Sequence, residues 1–163
     1  MSILCLGMVS SYDGLKNIMK IDFRELQFNN AVRDITKVIA KKSIKLHNFL
    51  KTNATSDLST TEIVNIQGEK VHEVDQCANE LFLQGLLKCS QIKSLISEEI
   101  VEEIFTHHSQ GRYTVAIDPL DGSSNVGVNI PTGTVFGIYH KNNRHHSGKF
   151  LLAAGYIIYG CNT

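Results

Sequence analysis

With 163 residues the chain is long enough for one domain with its own hydrophobic core. At 42% hydrophobic and 20% charged it has the composition of a soluble globular protein, and Lys+Arg balances Asp+Glu at 16 each. A net charge of zero, with no basic stripe interleaved with aromatics, argues against a nucleic-acid or membrane surface held by bulk electrostatics.

The N-terminal "MSILCLGMVSSYDGLKNIMK" opens on a short apolar run with no basic residue ahead of it. It is too short and too polar for a membrane span and has a poor signal-peptide form, so residues 1–22 are set aside as an unassigned extension. From Phe23 to Leu50, apolar residues recur at 28, 31, 32, 35, 38, 39, 46, 49 and 50, the spacing of a helix with one core-facing stripe. "KTNATSDLSTT" then reads as a mobile loop; its Asn53-Ala54-Thr55 sequon carries no meaning in a cytosolic protein. A second helix is expected from about Glu69 to Lys88, with Val71, Val74, Ala78, Leu81 and Phe82 on one arc and Cys77 at its border. Asp75 falls at the other edge of that arc, and Asn79 one turn away on the polar side. A carboxylate at the rim of a buried face is partly desolvated, which raises its pKa.

Beyond this helix the period changes to that of strands. "IKSLIS" ends on Glu98-Glu99, "RYTVAI" ends on Asp118, and "TGTVFGIYH" and "FLLAAGYIIYG" flank the polar loop "KNNRHHSG". Helices first and strands after predict an α+β fold, with the helices layered on one face of a mixed β-sheet. Cys5, Cys77, Cys89 and Cys161 form no C-x-x-C pair. Cys77 and Cys89, among apolar neighbours, are expected as buried free thiols in a reducing, cytoplasmic setting.

The residues that carry chemistry stand at strand ends. Glu98 and Glu99 close one predicted strand, and Asp118 and Asp121 close another in "VAIDPLDGSSNVGV". If those strands are parallel neighbours, the four carboxylates converge at one sheet edge. An all-oxygen set of that kind suits a hard divalent cation such as Mg²⁺, which binds a few carboxylates together with substrate phosphate. Gly122, Ser123, Ser124 and Asn125 would open a helix whose unpaired N–H groups suit a phosphate. Asp75 would polarise or deprotonate an attacking water. Each piece also has a purely structural reading. Glu98-Glu99 can start a helix, Asp118-Pro119 can open a type I turn, and Asp75 can be a solvated boundary residue. His107, His108, His140, His145 and His146 sit among Lys, Asn and Gly and are read as exposed loop residues rather than ligands.

Taken together, "DPLDGSSNVGVNIPTGTVFGIY" resembles the signature region of class I fructose-1,6-bisphosphatases. "NIQGEKVHEVDQCANELF", "SEE" and "AAGYIIYG" follow that family's order and spacing, so the resemblance runs from about Phe23 to Asn162. The shorter D-P-x-D-G pattern is shared with inositol monophosphatases and related lithium-sensitive phosphatases. The resemblance implies Mg²⁺-dependent removal of the 1-phosphate of fructose 1,6-bisphosphate, with Mn²⁺ as a substitute and sedoheptulose 1,7-bisphosphate as the alternative substrate. It implies that Glu98, Glu99, Asp118, Asp121 and the Leu120 carbonyl match metal ligands, and that Asp75 and Glu99 match catalytic carboxylates. Asp121, Gly122, Ser123, Ser124 and Asn125 match the phosphate and substrate segment, and Glu69 a mobile loop that helps complete the site.

Members act in gluconeogenesis or the Calvin cycle and are commonly tetramers. They continue for about as long again past "AAGYIIYG", into a domain that binds the sugar and adds a metal-ligating glutamate. A chain ending at Thr163 is therefore expected to show weak activity or none by itself. The alternative from a different class is a non-catalytic domain that binds metal or phosphate, or pairs with full-length subunits through an open apolar edge at "FLLAAGYIIYG". Arg112 and Tyr113 match a basic–aromatic pair of the family's AMP site. His140 replaces an expected arginine, however, and "NNAVRD" lacks the expected Thr-Gly pair and Glu, so AMP control is not expected.

Overall fold

The computed structural model describes residues 5–10, 30–53, 60–64, 70–128, 130–141 and 148–159. Helix α1 spans Asn30–Asn53, and Val32, Ile35, Ile39, Leu46 and Leu50 form its buried stripe, as the sequence spacing predicts. Two hydroxyls interrupt that stripe without an unpaired group. Thr36 Oγ1 donates to the Val32 carbonyl and Ser43 Oγ to the Ile39 carbonyl, each at 2.9 Å, one turn back along the helix. Helix α2 is shorter than expected. It covers Glu73–Leu86 and is preceded by strand β3, Lys70–His72, which pairs antiparallel with β2, Thr60–Val64. Part of the expected 51–61 loop thus continues α1 and part begins β2, while 54–59 and Glu69 lie outside the described residues.

Four main strands follow at the predicted places: β4 at Ile92–Ser97, β6 at Tyr113–Asp121, β7 at Thr132–His140 and β8 at Leu151–Tyr159. The segment after Glu98-Glu99 starts no helix; it turns into the two-residue strand β5, Ile104–Phe105. These strands and β1, Cys5–Ser10, form a six-stranded sheet in the order β1-β8-β7-β6-β4-β5. The β1/β8 and β6/β4 pairs are parallel and the others antiparallel, so the sheet is mixed. Two expectations change here. The extension set aside at the N-terminus contributes a strand, and β8 is not an open edge because β1 pairs along it from Cys5↔Ala154 to Ser10↔Tyr159.

Both helices pack on one face of the sheet. Ile35, Ile39 and Leu46 of α1 and Val74, Ala78, Phe82 and Leu86 of α2 meet Leu95, Val115, Ile117, Phe136, Ile138 and Ile157 in one core. On the reverse face the register partners Val135 and Tyr156 are each 44% exposed. That layering is the expected α+β arrangement.

Both cysteines named as buried thiols are corrected. Cys77 is exposed because it falls off the arc that Val74, Ala78 and Phe82 bury, and Cys89, in the turn after α2, is only partly buried against the core. His108 is corrected too. It is half-buried, and its Nε2 lies 2.9 Å from the Leu87 carbonyl at the C-terminal end of α2, where a protonated Nε2 donates. His108→Ala is expected to destabilise the chain by about 1 kcal/mol, read from urea unfolding, through loss of that bond. His107 is exposed as expected, whereas His140 ends β7 and meets the Tyr113 ring edge-on with centroids 6.1 Å apart. His145 and His146 lie outside the described residues.

Candidate active site

The parallel neighbours on which the acidic constellation depended are β4 and β6, with Ser97 opposite Ile117. One residue further on, the Glu98 N–H donates to the Ile117 carbonyl at 3.1 Å. Glu98 and Asp118 therefore leave the sheet side by side. The two carboxyls stand close enough to act on each other, and Glu98 raises the pKa of Asp118. The Asp118 carboxyl is pushed up to about 8, first by burial, then by the hydrogen bond and charge of Glu98, and then by the charge of Asp121; the Leu120 N–H works in the opposite direction. That N–H donates to Asp118 Oδ1 at 3.1 Å.

Asp118 and Asp121 reach the same side only because β6 is irregular. Residues three apart on a regular strand point to opposite faces. Here Asp118 pairs with Val135 and Asp121 with Gly133, so Pro119 and Leu120 together stand opposite Thr134 alone. This is a β-bulge, and it brings both aspartates onto the face that Val135 and Gly133 share. Proline supports the bulge because it has no N–H to place in the ladder. The alternative type I turn reading at Asp118-Pro119 does not hold; the chain stays in strand to Asp121.

Gly122 follows with φ +75°, a conformation that glycine adopts without strain. A Cβ at this position would also stand 3.2 Å from Asn125 Nδ2. The Asn125 N–H donates to the Gly122 carbonyl at 2.9 Å, closing the first turn of a 3₁₀ helix over Ser123–Val128. The α-helix expected here is thus a six-residue 3₁₀ helix. Any anion at this position would be held by local N–H groups and the Ser123 and Ser124 hydroxyls, not by a long macrodipole.

Helix α2 packs on the opposite face of the sheet and reaches the end of β4 through Asn79. Asp75 and Asn79, one turn apart, are 6% and 9% exposed, so both are inside the buried face rather than at its rim or on the polar side. Asn79 Oδ1 accepts from Ser97 Oγ at 2.8 Å, and Ser97 Oγ accepts from the Glu99 N–H at 3.3 Å. This chain of contacts ties α2 to the end of β4 and fixes the start of the Glu98-Glu99 turn. Asn79 and Ser97 are contributors that strand and helix periods did not single out. The spacing of Ser97 before Glu98-Glu99 was visible, but its partner was not.

Arg112 and Tyr113 lie at the opposite end of β6, Arg112 exposed and Tyr113 buried, so the structure separates them from the acidic residues by the length of the strand. Glu98 and Asp121 both act on Asp118, yet among the described residues no set of three or more His, Cys, Asp and Glu side chains stands together at chelating distance. The donor set is all carboxylate. Carboxyls crowded so closely that burial and neighbouring acids raise the Asp118 pKa fit a site that a hard cation would occupy.

Among the described residues, no helix is long and apolar enough to cross a membrane. Curated relatives include class 1 fructose-1,6-bisphosphatases of Persephonella marina, 45% identical over 61% of this chain and 33% of that protein, and of Psychrobacter, 34% identical over 85% and 44%. The chain thus spans between a third and a half of the length of these relatives. In solved structures the fold is similar to that of Leishmania major fructose-1,6-bisphosphatase in holo form, with TM-score 0.74 at 23% identity over 85% of this chain and 47% of that one. It is also similar to that of a putative sedoheptulose-1,7 bisphosphatase from Toxoplasma gondii, with TM-score 0.71 at 22% identity over 85% and 45%. The family model for the fructose-1-6-bisphosphatase N-terminal domain matches residues 19–163, and the chain belongs to that family.

Proposed function

We propose that this chain carries the phosphoryl-transfer half of a sugar-bisphosphate 1-phosphatase, acting on fructose 1,6-bisphosphate with Mg²⁺. The observation that carries the reading is the Glu98–Asp118 carboxyl pair beside Asp121, at the end of two parallel strands and directly before Gly122. Glu98, Asp118 and Asp121, with Glu99 and the Leu120 carbonyl, would hold the cation, which would supply charge neutralisation at the phosphoryl and leaving oxygens. The Gly122–Asn125 segment would receive the 1-phosphate through N–H and hydroxyl donors. Asp75, enclosed on α2, would take a proton from the attacking water, and Asn79 and Ser97 keep its helix in place against β4. Binding and orientation of the sugar contribute separately to rate, since positioning a reactant is itself a large part of catalysis.

Phosphate release from fructose 1,6-bisphosphate by this chain, with Mg²⁺ and with EDTA, tests the reading. Any release is expected to be weak, to require Mg²⁺ and to be lost in Asp121→Asn. Release that persists in EDTA or in that variant overturns it. Sedoheptulose 1,7-bisphosphate in a parallel arm decides between the two substrates.

A further inference from the structure

We infer that Thr134 is a positioning residue for the acidic site, clamping the bulge that puts Asp118 and Asp121 on one face. Thr134 is fully buried and is the single β7 residue opposite Pro119-Leu120. Its Oγ1 donates to the Pro119 carbonyl at 2.8 Å, so a side chain closes the gap that the bulge opens in the ladder. A threonine hydroxyl has one proton, and that proton is committed to a carbonyl. In the 2.6 Å contact between Thr134 Oγ1 and Tyr159 Oη, the phenol is therefore the donor.

Tyr159 is held in turn. Its ring stacks on His47 of α1 with centroids 6.3 Å apart. Burial pushes the phenol up to about 12, so it keeps its proton, and its role as donor, across the neutral range. The relay runs from α1 through β8 and β7 to the carbonyl between the two aspartates. The Thr134 and Tyr159 hydroxyls at its centre are both buried, where exchange of a partner for water is disfavoured. Relative to a threonine that only fills its slot, the distinguishing consequence is local: the bulge loosens when the hydroxyl is lost, and the sheet does not.

The inference rests on the cation-site reading above, but its first readout needs no cation. Thr134→Val is nearly equal in shape and lacks the hydroxyl. Residue-by-residue amide hydrogen exchange is expected to rise about tenfold at Leu120 and Asp121 in this variant, with the Ile117 and Phe136 amides unchanged. Thr134→Ser, which keeps the hydroxyl, is expected within about twofold of wild type. Unchanged exchange at Leu120 and Asp121, an equal rise across the sheet, or a Ser variant as fast as the Val variant overturns the proposal. Should Thr134→Val not fold, Tyr159→Phe decides: a smaller rise confined to the same two amides supports the relay, and none overturns it. Mn²⁺ binding followed by electron paramagnetic resonance is the second readout, expected to weaken in Thr134→Val and recover in Thr134→Ser. A wild-type chain that binds no Mn²⁺ sinks the cation-site reading and leaves the exchange result to decide the clamp.

Discussion

Asp118→Asn is expected to abolish Mg²⁺-dependent phosphate release and, in the same protein, to raise the stability of the metal-free chain near and above neutral pH. The two effects have one source. Asp118 stands against Glu98 and near Asp121, and its carboxyl is pushed from an ordinary 3.8 up to about 8 by burial and by those neighbours. A folded-state pKa above the unfolded value means that the native state binds the extra proton between the two. The group's contribution is fully present below about pH 3.8 and is lost as pH rises toward about 8, so it makes the native state less stable across that window. Asparagine has no charge to bury and can still donate to Glu98, so it escapes that loss. Thermal unfolding in EDTA should show the variant gaining on wild type from pH 4 to 8, with the difference vanishing in acid. Function moves the other way, because an amide is a poor substitute for a carboxylate around a hard cation, and removing one preorganised group from such a site costs on the order of 10²–10³ in rate. A variant that keeps near-normal release, or that shows no pH-dependent gain in stability, contradicts this account of the pair.

The second large effect is expected at Asp75. Asp75→Asn should lower kcat by roughly 10²–10⁴ with little change in KM, the span associated with loss of a positioned general base. Asp75 is 6% exposed and one helical turn from Asn79, whose Oδ1 holds Ser97. The isosteric amide keeps the shape of the side chain while removing its basicity. A rise in KM with kcat unchanged would assign Asp75 to substrate holding or to structure, and a loss of cooperative unfolding would assign it to the α2 fold. Steady-state kinetics with far-ultraviolet circular dichroism on the same sample separates the three.

The chemistry-bearing residues were legible because the sequence states them locally. Carboxylates at the ends of "IKSLIS" and "RYTVAI" need only strand periodicity to be placed, and that periodicity located β4, β6, β7 and β8. The buried stripe of α1 was legible for the same reason. Asn79 shows where period reading stops. The helical wheel put it on the polar side, and it is buried because a hydroxyl from another element, Ser97, satisfies it. Cys77 errs in the other direction, exposed although it lies between the core residues Val74 and Ala78 in the helix.

By itself, then, the sequence determined α1, most of α2 and strands β4, β6, β7 and β8, and singled out Glu98, Asp118, Asp121 and Asp75, since helix and strand periods and strand-end carboxylates are properties of neighbouring residues. Tertiary structure alone decided three things: that β1 pairs with β8, partners such as Cys5 and Ala154 being 149 residues apart in the chain, that β4 lies parallel beside β6, and that Asp118 and Asp121 share a face. The last is the sharpest case. A spacing of three predicts opposite faces on any regular strand. It becomes a spacing of two only when Pro119 and Leu120 stand together against Thr134. Register is fixed by pairing with a distant strand and by the hydroxyl that closes the bulge, neither of which a local window contains.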